Sequence, residues 1–94
     1  MRRAASDANE KPIVAALLKM GCSVERIRSL RGGCPDLLIG LDGKNYLAEV
    51  KLPKVGRLNA AQVKWHAEWK GGAPLIVRSV DDVILFVNLL RKSK

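Results

Sequence analysis

The sequence predicts a small mixed α/β domain, a short β-sheet flanked by helices in the order αβββαβα. Three features predict it. Apolar residues switch between helical and strand spacing along the chain. Asp42-Gly43 is a strong hairpin-turn signal between two apolar runs. The last apolar run lies between two helical segments, which makes a sandwich of sheet and helices. With 94 residues, one domain spanning the chain is expected.

Residues 1–5 (MRRAA) read as a loose basic start. Over residues 6–20, Ile13, Val14, Leu17, Leu18 and Met20 form an apolar stripe at helical spacing. Pro12 is tolerated only near the first turn, where its missing N–H costs little. Gly21 suits a left-handed cap. Residues 22–29 alternate apolar and polar, as a half-buried strand does. Residues 30–34 are a loop, and residues 36–41 a short apolar strand. Residues 45–52 (NYLAEVKL) form its hairpin partner. A basic loop over residues 53–58 leads to a helix over 59–70, with Asn59 as N-cap and Gly71-Gly72 as its stop. Residues 74–79 give the last strand. Ser79 or Asp81 caps a final helix carrying Val83, Ile84, Phe86, Val87, Leu89 and Leu90.

Hydrophobic residues make up 48% of the chain, too many for a disordered segment. The 17 lysines and arginines against 9 acids give a formal net charge of +8. Such an excess attracts polyanions by Coulomb forces and counterion release. Cys22 and Cys34 lack metal-like or redox-like spacing. No secretory signal precedes them, so reduced thiols and a cytoplasmic location are expected. No apolar run is long enough to span a bilayer, and no membrane partner is expected.

Two acids and a lysine stand where a purely structural sheet would not need them. Asp36 opens an apolar strand directly after Pro35. Glu49 and Lys51 sit on the next strand, two apart and so on one face with Leu47, while Ala48, Val50 and Leu52 face the core. The hairpin brings Asp36 and Glu49 into one neighbourhood. Carboxylates beside a lysine suit Mg²⁺, a hard cation that takes oxygen ligands and phosphate. Such an ion activates water and neutralises charge on a phosphodiester. The lysine can orient the water or stabilise developing negative charge.

Pro35-Asp36, a spacer and Glu49-Val50-Lys51 resemble the PD-(D/E)XK nuclease motif. With Gly33-Cys34, Gln62 and Val77-Arg78, the chain resembles the VRR-NUC domain family in its short standalone form, common in phages and bacteria. The resemblance runs from about residue 9 to 83. Here Ser79 follows Val77-Arg78, where the family's Val-Arg-Arg run has a second arginine. The resemblance implies a restriction-endonuclease-like core, Mg²⁺ dependence with Mn²⁺ as a substitute, and no small-molecule cofactor. It implies cleavage of structured DNA such as a Holliday junction by a homodimer, leaving 5′-phosphate and 3′-hydroxyl ends. In carry-over, Asp36, Glu49 and the Val50 carbonyl bind the metal. Lys51 is the catalytic lysine, Glu10 the helix acid that reaches the metal directly or through water, and Gln62 the helix residue supporting the lysine.

Plainer readings compete. Asp36 could simply start a strand after a proline turn. Glu10 could complement a helix dipole. Asn59-Ala60-Ala61-Gln62 reads as a capping box. Trp65 and Trp69 suit packing better than base stacking, and His66 suits a surface or interface better than catalysis. Arg31, Lys54, Arg57 and Arg78 are candidate phosphate contacts near the metal motif, as are Arg26 and Arg28. The rival functions are a non-catalytic basic DNA- or RNA-binding module, and an interaction domain that docks a partner through its last helix.

Overall fold

The computed structural model describes residues 8–92. The basic start and the expected helix onset at Ser6 lie outside them. The described chain is a small mixed α/β domain of three α-helices and a four-stranded sheet. Its elements are α1 (Glu10–Lys19), β1 (Ser23–Arg26), a 3-10 turn (Arg28–Leu30), β2 (Leu37–Leu41), β3 (Lys44–Val50), α2 (Ala60–Glu68), β4 (Leu75–Val77) and α3 (Val80–Lys92). The sheet order is β1-β2-β3-β4, with β4 parallel to β3 and the other pairs antiparallel. The parallel pair follows from the chain passing through α2, since a hairpin cannot join parallel strands.

The local signals act as physics requires. Asp42 and Gly43 take φ of 52° and 80° between the paired residues Leu41 and Lys44, a two-residue turn with positive φ at both central positions. Gly21, at φ 92°, ends α1. Its N–H donates to Leu18 O at 3.1 Å and that of Cys22 to Leu17 O at 3.0 Å, the paired bonds of a Schellman cap. The Ser79 hydroxyl accepts from Asp82 N at 3.1 Å at the start of α3.

The expected strand over 22–29 is shorter. The chain leaves the sheet at Ile27, whose N–H donates to Asp36 O at 2.9 Å, and turns through residues 28–30. Similarly, β3 ends at Val50 and α2 ends at Glu68, earlier than the sequence suggested.

The two sheet faces differ in kind. Leu37, Ile39, Leu41, Ala48, Val50 and Val77 pack with Ile13, Val14 and Leu17 of α1 and with Val83 and Val87 of α3. Each buried valine, leucine or isoleucine among them contributes about 1.5–3 kcal/mol. Both cysteines are buried free thiols. The opposite face carries Glu49 and meets α2 through hydrogen bonds. No residue of α2 is buried, so that helix is placed largely by polar contacts. Gly33 permits the close approach, because a Cβ there would lie 2.3 Å from Ala61 O.

Candidate active site

Strand alternation turns Glu49 and Lys51 to the α2 side of β3. Glu49 is 0% exposed, and a buried carboxyl is costly without hydrogen bonds. The residues that meet it come from α2: Gln62 Nε2 donates to Oε2 at 3.4 Å and His66 Nε2 lies 3.2 Å from Oε1. Gln62 Oε1 accepts from Lys51 Nζ at 2.8 Å. That same oxygen accepts from Asn59 N at 2.9 Å, while Asn59 Oδ1 accepts from Gln62 N at 2.9 Å. One Gln62 side chain therefore closes the helix cap and also contacts Lys51 and Glu49.

His66 is a site residue that sequence reasoning missed. The available signal was its spacing, since a residue four after Gln62 lies on the same helix face. Burial holds the imidazole below its ordinary pKa, and the Lys51 charge adds to the effect. At neutral pH the ring is therefore uncharged, and its Nε2–H tautomer is the one that donates to Glu49.

Asp36 and Glu10 belong to a second cluster, around Arg28. Glu10, 3% exposed, accepts from Arg28 Nη1 at 2.6 Å and Nη2 at 3.2 Å, and from Arg26 Nε at 2.9 Å. Arg28 Nη1 also donates to Asp36 Oδ1 at 3.0 Å. Burial pushes the Glu10 carboxyl up, but hydrogen bonds and charge from Arg28 and Arg26 outweigh it and hold the group below its ordinary range. The hydrogen bonds that Arg28 donates to Glu10 lead in keeping it firmly protonated, against burial and with help from Asp36. Sequence reasoning placed Arg28 among phosphate contacts; here it joins two acids.

The two clusters meet at Val50. Leu37 pairs with Ala48, so one step further Asp36 stands across from Glu49. Asp36 Oδ2 accepts from Val50 N at 2.7 Å. Lys51 N donates toward β4, to Val77 O at 3.0 Å. In a planar trans peptide the Val50 carbonyl points the opposite way, to the Asp36 side. The Val50 backbone thus lies beside the Asp36 carboxylate, while the Glu49 carboxyl finds its partners on α2. Asn9, just before α1, ties the strand ends together by donating through Nδ2 to Lys51 O at 3.0 Å and Arg78 O at 2.8 Å.

Among the described residues, no three His, Cys, Asp or Glu side chains group as a metal site. Of the expected set of Asp36, Glu49, the Val50 carbonyl and Glu10, the first three are hard oxygen donors of the kind that suits Mg²⁺ or Mn²⁺. Glu10 joins those three only through Arg28.

The basic candidates divide. Arg31, Lys54 and Arg57 are exposed. Arg78 is turned to structure: its Nη1 donates to Leu52 O at 3.0 Å and Gly56 O at 2.6 Å, fastening the loop after β3.

No family model, curated protein or solved structure matches the chain. Among the described residues, no helix is long and apolar enough to cross a membrane.

Proposed function

We propose that the chain is a metal-dependent DNA endonuclease with a PD-(D/E)XK-type core, whose active site comprises Asp36, Glu49 and Lys51. The observation that carries this reading is the Lys51–Gln62–Glu49 group. A lysine and a buried carboxylate share one glutamine on one sheet face, with Asp36 across the hairpin. A sheet needs no such arrangement for stability, and phosphodiester hydrolysis has a use for each part.

Asp36, Glu49 and the Val50 carbonyl would hold the cation. When bound, it supplies charge that offsets the phosphodiester and activates water. The Lys51 ammonium stabilises negative charge developing on the phosphoryl oxygens. Gln62 fixes that ammonium, and neutral His66 keeps Glu49 oriented. Hydrolysis forms a bond from water oxygen to phosphorus and breaks P–O3′. One water proton goes to the leaving 3′ oxygen and the other to solvent, leaving 5′-phosphate and 3′-hydroxyl ends. Arg31, Lys54 and Arg57 hold the backbone. A homodimer would present two such sites to a four-way junction.

One observation favours a second reading, a non-catalytic basic module for DNA or RNA. Arg28 already neutralises Asp36 and Glu10, as it would if those acids were structural. A panel of junction, flap, nicked and linear DNAs, incubated with Mg²⁺ or EDTA, separates the two. Cleavage that requires Mg²⁺ supports the nuclease. Salt-sensitive binding without cleavage on any substrate leaves the binding module.

A further inference from the structure

We propose that the groove beneath Trp69 is a binding site for an unpaired nucleobase, beside the candidate active site. The inference rests on the nucleic-acid part of the function proposed above. The groove, about 270 Å³, is lined by Leu38, Asn45, Tyr46, Leu47, Trp69 and Gly71, among others. Pockets for drug-sized ligands run from about 300 to 1,000 Å³, so this one suits a single planar ring system.

Its position ties it to the site. Leu38 and Leu47 are paired in the sheet. Alternation along β3 puts Asn45, Leu47, Glu49 and Lys51 on one face in a row. Leu47 lies about 7 Å along the strand from Glu49. The groove therefore lies next to the candidate site on that face of the sheet.

The aromatic wall is built for stacking. Trp69 packs against Trp65 with ring centroids 4.6 Å apart and planes at 17°, yet remains 48% exposed. Gly71 leaves room for the indole, since a Cβ there would lie 2.7 Å from Trp69 Nε1. The ring is thus backed on one side and still has surface for a second planar partner. Asn45 places an amide at the groove, where it can pair with a base edge.

Charge selects the occupant. Exposed Lys70 lies between Trp69 and Gly71, and a lysine beside an aromatic groove matches a base flanked by phosphates. A second copy of this chain, itself carrying +8, would bring charge of the same sign.

The test measures binding in EDTA, without cleavage, to a blunt duplex and to the same duplex with a short thymidine overhang. Trp69→Ala is expected to weaken overhang binding about five- to a hundredfold, with less than about a twofold change on the blunt duplex, while Trp69→Phe retains most of the affinity. In a Trp65→Phe background, the overhang and not the blunt duplex should quench the fluorescence of Trp69. Equal losses on both DNAs, no loss, or no quenching would overturn the proposal. So would a Trp69→Ala change in sedimentation, which would make the groove a contact between copies. A protein that stacks bases yet never cleaves keeps this site and sinks the nuclease; one that cleaves but is indifferent to Trp69 does the reverse.

Discussion

Gln62 and Lys51 are joined by a 2.8 Å hydrogen bond, and the accepting oxygen of Gln62 also closes the N-terminal cap of α2. The cap and the lysine are thus one unit: what starts the helix also holds the ammonium beside Glu49.

That coupling can be separated by mutation. Asn59→Ala removes the cap acceptor and should cost about 0.5–2 kcal/mol of stability, with cleavage per folded molecule preserved. Gln62→Ala should cost a similar amount and also lower the cleavage rate at least about tenfold, since it would free the Lys51 ammonium proposed to act on transition-state charge. Urea denaturation and single-turnover cleavage of the two variants check this.

Arg28 is the keystone of the second cluster. Arg28→Ala leaves the buried Glu10 and Asp36 without their shared cation and should cost about 3–5 kcal/mol, as breaking a buried pair does. Adding Glu10→Gln should recover part of that loss in the same urea measurement.

The fold was legible where a backbone constraint names its residue. Asp42-Gly43 declares the hairpin because both positions need positive φ, and Gly21 declares the end of α1 for the same reason. Alternation alone put Glu49 and Lys51 on one face and Val50 in the core. The strand expected over 22–29 could not be corrected from the sequence, because a turn entered at Ile27 preserves the alternation before it. Arg28, read as a phosphate contact, was not seen to pair with the acids on that account. Only the 3-10 turn carries it back to Glu10, eighteen residues away in sequence. His66 was missed because helix spacing shows its neighbours on α2 but not which strand lies opposite.

Glu10 should leave an acid signature. Its folded pKa lies below the unfolded value, so its contribution is present above the ordinary glutamate pKa of about 4.3 and is lost as pH falls through the folded value. Thermal melts of Glu10→Gln should show a shallower decline in that acid range than the parent protein.

His66 acts in a higher window with the same sign. Its folded pKa is depressed, so stability should be greatest above about pH 6.5 and fall as pH drops toward the folded value and the buried ring takes up a proton. His66→Gln should flatten that part of the pH–melting curve. An equal slope in parent and variant would show that the ring is not the titrating group.

Gly33 sets the spacing between α2 and the sheet. Gly33→Ala meets both a φ of 84° and a backbone oxygen 2.3 Å from the new Cβ, and strain of this kind costs about 1–3 kcal/mol before the clash is counted. Amide exchange should rise across α2, with cleavage falling in parallel as Gln62 and His66 move away from Glu49.

In the proposed site, Asp36 and Glu49 bind one divalent ion between them. Titration of Mn²⁺ followed by electron paramagnetic resonance tests it on the parent protein, Asp36→Asn and Glu49→Gln, with melts confirming that each is folded. Saturable binding is expected for the parent, abolished or weakened at least about tenfold by each substitution, as loss of a charged oxygen ligand should do. Absence of binding by the folded parent, or binding unchanged in both variants, would contradict it.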